Sequence, residues 1–212
     1  MQTTTRILPY FRTDARHHAL NDAVARWLGT PFFARAAVVN RGVDCVNLAH
    51  EIYVETGVCP RLTLPDYKLD HAKHSTETQL LRFLLGLSGT GCQPVDGEAA
   101  GSSGTGCQPV FAPNSVLRGR FSMVPPLPAK LQPGDLVALQ SGRIDHHLAL
   151  VVSHGEAVHA VEDYGVIRTP LDDPKFSARM LYALRPMEKV ESRKEEVEIQ
   201  AGAVAPNTPT ER

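Results

Sequence analysis

The stretch HLALVVSHGEAVHA, from His147 to Ala160, constrains the fold of this 212-residue chain more than any other segment. Apolar residues alternate on both sides of a short polar segment, which is typical of a β-hairpin. A three-residue loop with Gly155 in the left-handed conformation is a common hairpin connection. That loop length places His159 opposite Ala149, diagonal to His147 and on the same face, whereas a two-residue loop would separate the histidines. The pattern therefore predicts a pair of neighbouring histidines.

Helical patterns come first along the chain and strand patterns follow. Apolar spacing and end-capping residues predict helices over Asp14–Leu28, Asp44–Gly57 and Thr76–Leu85. After a type II turn predicted at Gln132–Asp135, short apolar segments predict antiparallel strands. Helices followed by such strands indicate an α+β domain, and the chain length fits one domain.

The domain is expected to span residues 1–186, with a loop insert at 88–110 and a tail at 187–212. The insert contains SGTGCQPV twice, and its Gly, Ser, Thr and Pro content is typical of loops. A disulfide between Cys92 and Cys107 is conceivable, although the duplication already accounts for both cysteines. The charged tail is expected to be a helical stub followed by a disordered segment.

Composition excludes several classes of function. The net charge of −1 gives no nucleic-acid footprint, and no apolar run approaches the roughly 20 residues that a membrane-spanning helix needs. The polar amino terminus lacks a secretory signal, so the default expectation is the cytoplasm, where thiols stay reduced. The alternative expectation is a protein that is released or delivered to the cell wall.

Cys45 has the sequence context of a nucleophile. It follows the predicted cap Asp44 at the first position of the second helix, where backbone N–H groups and the helix dipole lower a thiol pKa and can bind an oxyanion. The alternative is a small buried hydrophobe, the commonest state of a free cysteine. The two histidines of the predicted hairpin favour the nucleophile over the buried hydrophobe. His147 would take the Cys45 proton while His159 orients the His147 ring. Despite the Asp44 charge, we expect Cys45 to be a thiolate.

On the same helix, His50 and Glu51 fall on the polar side, which predicts that they form a solvated pair.

Three motifs in order resemble the NlpC family of cell-wall cysteine peptidases, which have a papain-like fold. They are RGVDCVNLAHEIYVETGV, LQPGDLVAL and HLALVVSHGEAVHA, and together they cover about Gly29–Ala160. The resemblance implies a catalytic triad of Cys45, His147 and His159. It also implies hydrolysis of an amide bond, in a peptidoglycan stem peptide, through a thioester and without metal or organic cofactor. The stretch TLPDYKLD is similar to the phage-tail branch of the family.

The sequence departs from the family around the substrate. Val46 and Asn47 replace the usual Ser and Gly after the nucleophile, so of the pair that binds a free amino group only Asp44 is kept. Upstream, where the family usually offers a Tyr hydroxyl, Phe32 and Phe33 cannot donate a hydrogen bond. The triad thus carries over better than the substrate specificity.

Several alternatives stay open at the sequence level. His146 could be the base, although alternation would turn it away from the face of Ala149. A metal site could use the histidines of this region, which are His146, His147, His154 and His159. For function, the rivals are a cysteine amidase or acyltransferase acting on another small substrate, and an inactive structural or binding module.

Overall fold

The computed structural model describes residues 3–62, 92–93, 108–109, 120–141 and 144–193. The strands are β1 (Thr3–Pro9), β2 (Ala37–Val38), β3 (Gly42–Val43), β4 (Cys92–Gln93), β5 (Gln108–Pro109), β6 (Phe121–Val124), β7 (Leu136–Ser141), β8 (Ile144–Val151), β9 (Glu156–Val161), β10 (Gly165–Pro170) and β11 (Met180–Arg193). The helices are α1 (Asp14–Trp27), α2 (Cys45–Glu55) and α3 (Pro174–Ser177), with a 3-10 turn at Pro128–Lys130.

A seven-stranded antiparallel sheet organises the molecule. Its strand order is β1-β11-β7-β8-β9-β10, and β6 also pairs with β11. Helix α2 packs on β8 and β9, and α1 packs on α2. The predicted α+β class, with the helix that carries Cys45 packed on an antiparallel sheet, is confirmed.

Local signals in the sequence explain both long helices. In α2, Asp44 is the N-cap and its side chain accepts a hydrogen bond from the backbone of Asn47. Leu48 and Ile52 lie one turn apart and are buried, and Gly57 follows the helix with φ +78°. For α1, the predicted cap Asp14 is instead the first helical residue. The position of Cys45 at the start of α2 is thus fixed by the Asp44 cap.

The β8–β9 hairpin has the predicted register. Leu150 pairs with Val158 and Val151 with Ala157, around a loop of residues 153–155. Leu148, Leu150 and Val152 belong to the core cluster beneath α1 and α2, whereas Ala149 and Val151 belong to the cluster on the other face, with Phe176 of α3. The prediction of a left-handed Gly155 is wrong, because its φ lies outside that region.

The turn before β7 also follows its sequence. The backbone N–H of Asp135 donates to the carbonyl of Gln132 at 3.0 Å, and Gly134 has φ +87°. A Cβ at Gly134 would lie 1.9 Å from the Phe11 ring, so the turn needs glycine for space as well as for conformation. Asp135, fully buried, pairs with Arg185 of β11 at 2.8 Å.

The two ends of the described chain pair with each other, which the sequence did not indicate. Strand β1 pairs with the second half of β11, from Thr3 opposite Arg193 to Pro9 opposite Met187. The helical stub predicted from Met187 is therefore wrong. Residues 194–212 of the predicted tail lie outside the described residues, and the boundary at 186 stays a prediction.

Most of the predicted insert and the third predicted helix, Thr76–Leu85, also lie outside the described residues. Within the insert, Cys92 pairs with Pro109 and Gln93 with Gln108, so short segments of the two SGTGCQPV copies form an antiparallel bridge. Among the helices that the structure describes, none has the length and apolar character needed to span a bilayer.

Candidate active site

Cys45 lies where the start of α2 meets strand β8. Its side chain is 6 % exposed. The backbone N–H groups of Leu148, Cys45 and Val46 act on the sulfur, and each lowers the pKa of the Cys45 thiol. Donors from the helix start and from the residue after His147 thus converge on one sulfur atom. That the N–H groups of the helix start bind an oxyanion stays a prediction.

The electrostatics of Cys45 differ from the expected thiolate. Burial raises the pKa of the Cys45 thiol from its ordinary value to about 12, and the Asp44 charge adds to this, while the backbone donors lower it. Burial prevails because a thiolate in an apolar surrounding loses the hydration that stabilises its charge. In the resting protein Cys45 is therefore a neutral thiol.

His147 and His159 form the pair that the hairpin predicted. The Nε2 atom of His147 lies 2.7 Å from the Nδ1 atom of His159, and the rings meet edge to face with centroids 5.0 Å apart. Between the pairs Leu139–His147 and Gln140–Asp145 the β7–β8 register shifts by one residue. Such a bulge changes the direction of a strand next to it. The side chain of His146 lies outside the described part of the structure, so the prediction that it points away from the face of Ala149 stays a prediction.

His159 is held from two further sides. Its Nε2 atom lies 2.8 Å from the Thr169 hydroxyl, and its ring stands edge-on to Phe176 with centroids 5.4 Å apart. Burial, followed by the positive charge of Arg179, lowers the pKa of His159 to about 4. His159 is therefore a neutral imidazole at neutral pH.

Thr169 is the polar neighbour of His159, and the sequence analysis did not predict it. Strand β10 pairs with β9 so that Ile167 lies opposite His159. Thr169, two residues further along, is on the same face of the strand. The alternation of β10 could have identified it, but only with the register of β9 and β10 in hand.

Asp44 has a structural role in the resting protein. Its side chain is 0 % exposed, and its two carboxylate oxygens accept hydrogen bonds from the backbone N–H of Arg35 at 2.6 Å and from Asn47 at 2.9 and 3.1 Å. Arg35 has φ 61°, a strained conformation for a non-glycine residue. The carboxylate thus ties the loop before β2 to the start of α2. Its role in substrate binding stays a prediction.

The residues that depart from the family pattern lie as follows. Phe32 and Val46 are partly buried and pack against the core that contains Cys45, and Phe33 is 66 % exposed.

The prediction of a solvated pair on α2 is wrong, because His50 and Glu51 are both buried. The His50 ring accepts a hydrogen bond from the Leu62 backbone at 3.0 Å, and Glu51 forms an ion pair with Arg61.

No cluster of three or more His, Cys, Asp and Glu side chains that could hold a metal occurs within the described residues. The predicted absence of a cofactor stays a prediction.

Comparisons with known proteins give matches only at the level of structure, since no protein-family model and no curated protein matches the chain. The chain is similar to a lipoprotein-like NLP/P60 family protein from Staphylococcus aureus (TM-score 0.48, 15 % identity, 84 % of this chain and 43 % of that one). It is also similar to an NlpC/P60 family protein from Bacillus cereus, with a TM-score of 0.42 and 17 % identity over 79 % of this chain and 39 % of that one. The third is the NlpC/p60 domain of the peptidoglycan hydrolase SagA, with a TM-score of 0.42 and 14 % identity over 79 % of this chain and 97 % of that one.

The chain thus spans less than half the length of the first two of these proteins. The resemblance to the phage-tail branch of the family stays a prediction. These three proteins are all NlpC/P60 family members by their descriptions, and the motifs of this chain resemble the same family.

Proposed function

We propose that this protein is a cysteine hydrolase that cleaves an amide bond, most specifically in a peptidoglycan stem peptide, with Cys45 as nucleophile and His147 as base. The observation that carries the proposal is the meeting of two elements at one point. The Cys45 sulfur contacts the backbone N–H of Leu148, and the preceding residue, His147, contacts His159. A nucleophile, a base and an orienting group therefore come from α2, β8 and β9.

The first half of the reaction forms a thioester. Because Nε2 of His147 faces His159, Nδ1 is the nitrogen that takes the proton of the Cys45 thiol. The sulfur then attacks the carbonyl carbon of the substrate, and the carbonyl oxygen becomes an oxyanion. His147 returns its proton to the leaving nitrogen as the C–N bond breaks, which leaves an acyl group on sulfur and a free amine.

The second half releases the product. His147 takes a proton from water, the hydroxide attacks the thioester carbonyl, and the C–S bond breaks. The sulfur recovers the proton from His147, and the product leaves as a carboxylic acid, which gives its own proton to solvent. The backbone N–H of Cys45, at the start of α2, is the donor suited to the oxyanion in both halves, because it also carries the helix dipole.

A neutral resting thiol suits proton transfer at the moment of attack. In this scheme the substrate displaces water from the site, and the transfer from Cys45 to His147 occurs only as the sulfur attacks. The peptidoglycan substrate rests on the motif resemblance, and a cytoplasmic location stays a prediction.

One observation favours a second candidate, an inactive structural or binding module. A sulfur that is 6 % exposed, with a pKa raised to about 12, is typical of a buried cysteine without chemistry. The amidase or acyltransferase alternative shares the triad and differs only in substrate.

The experiment that tests the proposal is mass spectrometry of peptidoglycan fragments incubated with wild type, Cys45→Ala and Cys59→Ala. Cys59 is the matched control because it is also a buried free cysteine. We expect cleavage by wild type and by Cys59→Ala and none by Cys45→Ala. Equal cleavage by all three would contradict the assignment of Cys45, and no cleavage by any would leave the binding module or another amide substrate as the function.

A further inference from the structure

We infer that Thr169 is a positioning residue: its hydroxyl, at the end of the chain His147–His159–Thr169, fixes which nitrogen of each imidazole carries the proton. The inference rests on the proposed function, because it concerns the same base. It adds a fourth member to the triad.

The contacts form a continuous line of ring nitrogens. Nε2 of His147 lies 2.7 Å from Nδ1 of His159, and Nε2 of His159 lies 2.8 Å from Oγ1 of Thr169. Each contact needs one hydrogen between its two heavy atoms. A neutral imidazole has one N–H and one lone pair, so the tautomer of one ring decides the tautomer of the next.

Only one of the two arrangements can start the reaction. If the hydrogens point toward Thr169, His147 donates from Nε2, His159 accepts at Nδ1 and donates from Nε2, and the lone pair on Nδ1 of His147 can take the thiol proton. If they point the other way, Thr169 donates to His159, His159 donates to His147, and Nδ1 of His147 already carries a hydrogen. That ring cannot act as a base.

The Thr169 hydroxyl supports the active arrangement because it supplies an acceptor for the last N–H. The His159 side chain is 7 % exposed, and a buried donor that loses its partner is costly. Thr169 itself is partly exposed, so its own hydrogen can turn toward solvent. Without the hydroxyl, the active arrangement leaves a buried N–H without an acceptor.

The test measures the histidine tautomers directly, by the ¹⁵N chemical shifts of both ring nitrogens at pH 7, with signals assigned by comparison with His147→Gln and His159→Gln. The variants are Thr169→Val, which keeps the shape and removes the hydroxyl, and Thr169→Ser, which keeps the hydroxyl. Thr5→Val is the matched control, since Thr5 is an exposed strand residue of β1. Alkylation of Cys45 by iodoacetamide at pH 7 provides a rate that needs no natural substrate.

In wild type and in Thr5→Val we expect both histidines to carry hydrogen on Nε2. In Thr169→Val we expect His159 to shift toward the Nδ1–H form and Cys45 alkylation to slow about tenfold. Thr169→Ser should retain the wild-type tautomers and the wild-type rate of Cys45 alkylation. Thermal unfolding of each variant shows whether the fold is intact, and the wild-type tautomers keep the test decisive if the Val variant is unstable.

Two outcomes overturn the inference: a wild-type His159 with its hydrogen on Nδ1, or Thr169→Val with unchanged tautomers and alkylation rate. Failure of the proposed function looks different. If the tautomers and the alkylation rates behave as expected while no peptidoglycan fragment is cleaved, the substrate proposal fails and the role of Thr169 stands.

Discussion

The Nε2 atom of His147 and the Nδ1 atom of His159 lie 2.7 Å apart across neighbouring strands of one sheet. His147 lies in β8 beside the bulge and His159 lies in β9 opposite Ile167, and the pairs Leu150–Val158 and Val151–Ala157 hold the same hairpin in register. The orientation of the candidate base is therefore set by strand pairing rather than by a loop. Changes at His147, at His159 or at their contacts should affect chemistry more than folding.

The pH dependence of Cys45 alkylation separates a neutral thiol from a preformed thiolate. Because burial raises the pKa of Cys45 to about 12, the rate with iodoacetamide should still rise above pH 9 rather than level off near pH 6. His147→Ala should slow the reaction at pH 7 by removing the base, and Cys59, buried and with a raised pKa, is the internal comparison. A plateau below pH 7 would show that a Cys45–His147 ion pair overcomes burial.

Folding stability should fall in mild acid because of His159. Its folded-state pKa is about 4, below the ordinary value of 6.5, so the unfolded chain binds a proton first. The contribution is complete above pH 6.5 and declines as the pH falls toward 4, by roughly 2–3 kcal/mol at about 1.4 kcal/mol per pH unit. Urea unfolding of wild type at pH 7 and pH 4.5 measures the decline.

The decline should be smaller in His159→Gln, which has no imidazole to protonate at this position. His154→Gln is the matched control, because His154 is exposed in the loop of the same hairpin. If wild type and His159→Gln lose the same free energy of unfolding between these pH values, His159 is not the group responsible.

Loss of the Asp44 side chain should destabilise the protein strongly. Asp44→Ala removes the acceptor of the Arg35 and Asn47 hydrogen bonds in a fully buried position, at a cost of about 2–4 kcal/mol. Thr13→Ala is the control, since Thr13 is the N-cap of α1 but makes no side-chain capping bond. Its loss should cost about 0.5 kcal/mol or less, and equal losses in chemical denaturation would contradict the structural role of Asp44.

Substrate choice should depend on Val46. An apolar side chain cannot accept a hydrogen bond from a free amino terminus, so wild type should cleave amino-blocked and free peptides at similar rates. Val46→Ser adds an acceptor, and we expect it to raise the preference for the free form by several-fold. Paired acetylated and free peptides measure the ratio, and strict dependence of the wild type on a free amino group would refute the prediction.

The sequence alone determined the local parts of the site. Asp44 marks the start of α2 because a carboxylate caps the free N–H groups of a helix, and this places Cys45 at the first helical position. The number of residues between β8 and β9 determines their register, because side chains alternate with a period of two. Both inferences depend on contacts between residues close in the chain.

Tertiary structure decided what depends on distant residues. The pairing of β1 with β11 joins Thr5 to Glu191, and no local pattern of a polar strand identifies its partner. The burial of His50 and the partnership of Thr169 with His159 likewise follow from which surfaces meet. For Cys45, the helix start favours a thiolate and burial opposes it, and burial prevails because the hydration of a charge depends on every atom around it.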